Sequence, residues 1–169
     1  MQDKLLKQRI ERARHVLAEI HHVAIATVNA DGTPHNSPVF MAFDERLNGF
    51  WASNPEALHS QNIARTGQVF LSIFDSREGH SGLCIRAEAE ALENEADARH
   101  GYETLCALKE KFYGSMGQLE SYIEPGPQRI YRARPLQFWV NVSDRDASGV
   151  IIRDRRHEAK VEDLLQVRP

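Results

Sequence analysis

The feature that most constrains the fold is a four-residue turn, Asn29-Ala30-Asp31-Gly32, set between two runs that read as strands. Asp-Gly takes up positive φ angles at little cost, so the turn folds the chain back as an antiparallel hairpin. Before it, His22–Val28 is short, apolar and rich in β-branched residues, the composition of a strand. After it, Pro34 and Pro38 bracket the next strand, which residues 39–43 continue. Proline has no amide proton to give, so that strand belongs at a sheet edge or carries a bulge near its start.

The spacing of Leu5, Leu6, Ile10, Ala13, Val16, Leu17 and Ile20 predicts an amphipathic helix over residues 1–20, covering one end of the core. A turn at 44–48 leads into a strand at Gly49–Ser53. Ser53-Asn54-Pro55-Glu56 reads as a helix start. Ser53 or Asn54 caps, Pro55 suits the first helical position, and Glu56 favours the positive end of the helix dipole. That helix is expected to run to about Arg65 and stop at Gly67. Gln68–Phe74 alternates Val69, Leu71 and Ile73 with Phe70, Ser72 and Phe74, the pattern of a strand buried on both sides.

Residues 76–82 predict a polar, flexible loop placed to cover a site, and residues 83–92 a half-exposed strand. An amphipathic helix over 96–113 fills an insert spanning 95–114. A long strand over 130–142 carries a kink or bulge at Pro135. A short strand at 149–152 and a last helical turn or two over 158–165 complete the chain. The expectation is a single domain over 1–169, mainly β with flanking helices (α+β), its antiparallel strands forming a small barrel rather than a doubly wound parallel sheet.

A net charge of -3 gives no general attraction to nucleic acid or to an anionic membrane. Arg153, Arg155 and Arg156, interrupted by Asp154, read as a solvated face. Cys84 and Cys106 lack CxxC spacing, which argues against a disulfide or zinc site and for a reducing, cytoplasmic setting. The first twenty residues are charged throughout, unlike a signal peptide or a membrane span. Eight histidines occur without HExxH, so no metal is implied. The glycine motifs of triad hydrolases, P-loops and dinucleotide folds are all missing. Glu88 and Glu90 share a strand face without an acid/base partner and read as solvated or dimer-facing.

The positive signal is phosphate capture. His35 and Ser37 share one face of the second strand. Ser53 and Asn54 end the third, with hydroxyl, amide and free backbone N–H groups at the expected helix start. His59, Ser60 and Asn62 follow one to two turns later. Capping and surface polarity account for the same residues equally well. His21, His22, His80, His100 and His157 read as packing or surface residues.

The segments ATVNADG, PHNSPV, GFWASN, HSQNI, LSIFD, CIRAEAEAL and RIYRARPLQFWVN, in that order over residues 19–142, resemble the pyridoxamine 5'-phosphate oxidase-like family of flavin-binding split barrels. The resemblance implies a six-stranded antiparallel split β-barrel, a homodimer, and FMN in two equivalent sites at the dimer interface. Carried over by position, His35 stands where the family carries a basic residue, and the flavin ring lies along Asn36, Ser37, Pro38 and Val39. Ser53 matches the residue that ends the third strand, with Asn54 beside it. His59 stands where the family carries a lysine, with Ser60 following, and Gln61 and Asn62 border the phosphate. Trp139 of the second subunit touches the ring or closes the pocket. Cys84 stands where the true oxidases carry glutamine. The resemblance thus implies an FMN-dependent oxidoreductase acting on a small molecule, with Trp139, His80 and Arg86 shaping the substrate end. No side chain is identified as an acid or base. The same fold also suits a non-catalytic or stress-related flavin binder, or a carrier of haem or a deazaflavin.

Overall fold

The Asp-Gly turn closes the hairpin between β1 (His22–Val28) and β2 (Pro34–Phe40). Gly32 takes φ +84°, and the Asp31 carboxylate accepts from the Thr33 amide and hydroxyl at 3.0 and 2.6 Å. This computed structural model describes residues 2–77 and 82–165. Along it, α1 (Gln2–Glu19) precedes the hairpin, and β3 (Ala42–Phe43), β4 (Gly49–Ser53), α2 (Leu58–Thr66), β5 (Gln68–Phe74) and β6 (Gly82–Ala91) follow. Then come α3 (Glu95–Phe112), a 3-10 turn at Leu119–Tyr122, β7 (Arg129–Arg145), β8 (Ile151–Ala159) and α4 (Val161–Leu165).

The strands form one antiparallel sheet in the order β2-β1-β5-β6-β7-β4-β3, with β8 paired to β7 alone. β2 and β3 are two halves of one stretch, broken at Met41, so the chain itself joins the ends of the curled sheet. Counted that way the barrel has the expected six strands, and β8 is an addition outside it. Both prolines of β2 sit on the sheet edge, where a missing amide costs no ladder bond. Opposite the join between Arg86 and Ala87, Leu136 is left without a register partner. This is the bulge expected beside Pro135.

The barrel interior is filled by Val23, Ile25, Trp51, Leu71, Ile85 and Val140, with Ala13 and Val16 of α1 closing it. Arg14 of α1 donates through Nε to the Asp163 carbonyl at 2.7 Å, tying the two ends of the described chain. A second cluster, including Phe50, Ala98, Leu105 and Ile130, seats α3 against β3 and β4. Gly101 lets α3 approach, since a Cβ there would lie 2.7 Å from both Ile130 Cγ2 and Phe50 Cδ1.

Four expectations need correction. α2 starts at Leu58, not near Ser53, and its N-cap is Ala57 without a side-chain bond. The Asn54 side chain instead accepts from the Glu56 amide at 2.8 Å. This local Asx turn competes with helix for the same amide. β5 is buried on one side only; Phe70 and Ser72 are half-buried, and Phe74 is 61% exposed. β8 runs nine residues rather than four, because pairing to the β7 extension holds a strand whose charged composition hides it. The last helix is correspondingly shorter, starting at Val161.

Candidate functional site

The two polar stretches of the sequence, one around the hairpin and one around the β4–α2 junction, meet at one corner of the barrel. β1 sets the facing. Val23, Ile25 and Thr27 point inward and are buried, and their cross-strand partners Val39, Ser37 and His35 share that face. His35 Nε2 lies 3.0 Å from Ser37 Oγ, two residues along the same face. β2 packs against both α2 and β4. β4 brings Ser53, and His59 in the first turn of α2 places Nε2 2.8 Å from the Ser53 hydroxyl oxygen.

His59 is 8% exposed. Burial, and secondarily the charge of nearby His35, holds its pKa below the ordinary 6.5. His35 thus lies near enough to disfavour the charged form of His59. Each has a hydroxyl partner, and a hydroxyl can donate or accept as the imidazole tautomer requires.

Asn62 and Arg65 complete the corner from α2. The Asn62 Nδ2 donates to Thr27 Oγ1 at 3.0 Å and to Asn29 Oδ1 at 2.9 Å. Arg65 donates to the Val28 carbonyl and, at 3.5 Å, to Asn62 Oδ1. Sequence reasoning missed Arg65, although its place three residues after Asn62 on a helix was a readable signal.

The structure thus brings together His35, Ser37, Ser53, His59 and Asn62. It sets the other candidates apart. Asn36 and Pro38 lie on the outward face of β2, and Val39 continues the inward row. Asn54 closes its own turn, so neither it nor Ser53 sits at the first turn of α2. Gln61 is exposed and turns its amide back to the Glu56 carbonyl at 2.9 Å. Ser60 borders a cleft of about 960 Å³ between α2, β6 and β7, lined also by Glu88, Glu90, Arg132 and Arg134. Its hydroxyl is buried without a hydrogen-bond partner among the described residues. Two pairs of opposite charge line the cleft, Glu88 beside Arg134 and Glu90 beside Arg132.

Trp139 lies on the outer face of the sheet, stacked on Phe70 with centroids 5.9 Å apart. Arg156 of β8 lies over the Phe70 ring at 5.4 Å. Arg86 is exposed on β6, and Phe70 is its partner across the β5–β6 ladder. His80 lies outside the described residues, as does most of the loop expected over the site. Among the described residues no helix is long and apolar enough to cross a membrane, and no three His, Cys, Asp or Glu side chains gather as a metal site.

A family model described as pyridoxamine 5'-phosphate oxidase matches residues 10–141. A comparison with curated proteins gives no match. Among solved structures the chain is similar to an F420 reductase, at 20% identity and TM-score 0.57, over 73% of this chain and 93% of that one. It is also similar to HutZ, a heme storage protein from Vibrio cholerae, at 21% identity and TM-score 0.59, over 75% and 89% of the two chains. A third similar structure is a heme binding protein from Mycobacterium smegmatis, at 19% identity and TM-score 0.61, over 93% of this chain and 60% of that one. At such identities the structures support the split-barrel fold alone.

Proposed function

Because the chain belongs to the pyridoxamine 5'-phosphate oxidase family, we propose that it binds FMN as a homodimer and acts as a flavin-dependent oxidoreductase on a small molecule. One observation carries the reading: two imidazole–hydroxyl pairs, His35–Ser37 and His59–Ser53, converge at one corner from three separate elements. The donor set fits a phosphate. Each pair can turn a proton toward an anion, and a dianion between two imidazoles relieves their mutual repulsion.

In this reading His35, Ser37, Ser53 and His59 hold the phosphate, and β2 orients the rest of the cofactor. As an edge strand, β2 leaves the Asn36 N–H outside the ladder to β1, while Pro38 has none to offer. FMN supplies hydride and electron transfer when bound; the chain supplies position and electrostatics. The outer sheet face, with half-buried Phe70 and Trp139 and exposed Phe74, offers an apolar surface for a second copy. Trp139 of the partner subunit then borders the ring.

A second reading has its own support. Histidines occupy both phosphate-corner positions where the family carries stronger bases, and imidazole is also a haem ligand. Two of the similar structures are heme proteins by name. FMN titration followed by tryptophan fluorescence separates the readings. Saturable quenching supports flavin, and reduction of the bound flavin by NADH or NADPH, then reoxidation by an acceptor, supports an enzyme over a non-catalytic binder. No quenching by FMN, with a Soret band on adding haemin, supports the second reading.

A further inference from the structure

Asn62 has no side-chain donor left for an anion. Its side chain is buried, both amide protons are given to Thr27 and Asn29, and its oxygen accepts from Arg65. Arg65 holds Val28 as well, through that residue's carbonyl. Three consecutive residues at the end of β1 are therefore each gripped from α2.

The grip lies directly beneath the histidines. Thr27 is the cross-strand partner of His35, and His59 stands one helical turn before Asn62. α2 needs such anchoring. It is nine residues long and its N-cap makes no side-chain bond, and isolated helices this short are marginal in water. Its far end is fixed by Ile63 in the core and by the Gly67 carbonyl, which accepts from the Ala89 amide at 2.8 Å. Among the described residues, the hydrogen bonds from α2 toward the β1–β2 hairpin are made by Asn62 and Arg65.

We propose that Asn62 and Arg65 are positioning residues: by locking α2 to the end of β1 they fix the separation of His35 and His59, and so the shape of the anion corner. Asn62, with both amide protons committed, does not contact the anion. The inference rests on the phosphate-binding reading only for its consequence, not for the geometry it describes.

The test uses the full chain without ligand first. Asn62→Leu keeps the side-chain volume and removes all three bonds; Asn29→Ala removes one of them at the half-exposed end of the hairpin. His59 is followed by NMR as it titrates. In the native protein its midpoint is expected below the ordinary histidine value, because the ring is buried. In Asn62→Leu it moves up toward that value, because α2 relaxes and both burial and the nearness of His35 lessen. Asn29→Ala shifts it the same way by less. Cooperative melting confirms that each variant is folded. An unmoved His59 midpoint in a folded variant overturns the proposal, and should Asn62→Leu not fold, Asn29→Ala decides alone. FMN is then added to the same proteins, and Asn62→Leu binds it at least tenfold more weakly than the native chain. Failure of the native chain to bind FMN counts against the functional reading, while the His59 titration still decides the role of Asn62.

Discussion

The Nε2 of His59 lies 2.8 Å from the hydroxyl oxygen of Ser53, which joins the end of a strand to the first turn of a helix six residues on. A capping serine would have bonded a backbone amide instead. Here the helix starts four residues late, and the hydroxyl is left to meet an imidazole at a half-buried corner.

Removing that contact tests its purpose. Ser53→Ala combined with His59→Ala is expected to weaken FMN binding by tenfold or more, since hydrogen bonds to a charged group contribute about 1.5–3 kcal/mol each. Stability should fall much less than affinity. Titration calorimetry and thermal unfolding on the same samples check this. An equal drop in stability with unchanged affinity assigns both residues to packing.

The corner also predicts opposite responses to acid. His59 has its folded pKa lowered, chiefly by burial. The unfolded chain therefore binds more protons, and this contribution to stability is present above the ordinary 6.5 and is lost as pH falls through the lower folded value. A phosphate dianion favours the charged imidazole instead. FMN affinity should thus rise as pH falls from about 8 to about 6.5, while stability without ligand declines below that range. Affinity measured across this range, flat or falling toward acid, contradicts a histidine-held phosphate.

The outer sheet face predicts the assembly. Phe74 is 61% exposed on the row of the sheet that carries Phe70. Phe74→Lys should shift sedimentation from dimer to monomer without lowering the melting temperature of the monomer. A native protein that sediments as a monomer at micromolar concentration argues against paired sites.

Packing at Gly101 gives a prediction independent of any ligand. A methyl group there meets Ile130 and Phe50 at 2.7 Å, so Gly101→Ala should destabilise by about 1–3 kcal/mol despite the better helix propensity of alanine. Chemical denaturation measures it; a stabilised variant shows that α3 can move away from β4 without cost.

Much of this architecture was legible because its borders are punctuated. Gly32, Pro34 and Gly67 bracket β1, β2 and α2, and the strands at Gly49–Ser53 and Gln68–Phe74 fall where expected. Legibility failed where local bonding outranked the pattern. Asn54 spends its side chain on its own turn, which delays α2. β8 is arginine-rich and owes its strand to β7, a dependence invisible in its own residues. Phe70 and Phe74 looked like core because they are aromatic, yet they face outward. At the corner, residue types pointed to His35, Ser37, Ser53, His59 and Asn62, and equally to Asn54 and Ser60, which the fold sets apart; only the fold shows both amide protons of Asn62 given to Thr27 and Asn29.

The most direct test of the whole account is the absorbance spectrum of the protein as purified, followed by release and identification of whatever absorbs. Yellow protein with flavin bands, yielding FMN on denaturation at about one per subunit, is the predicted result. A colourless protein that gains no flavin bands when FMN is added and the excess removed, or one showing a Soret band instead, contradicts it.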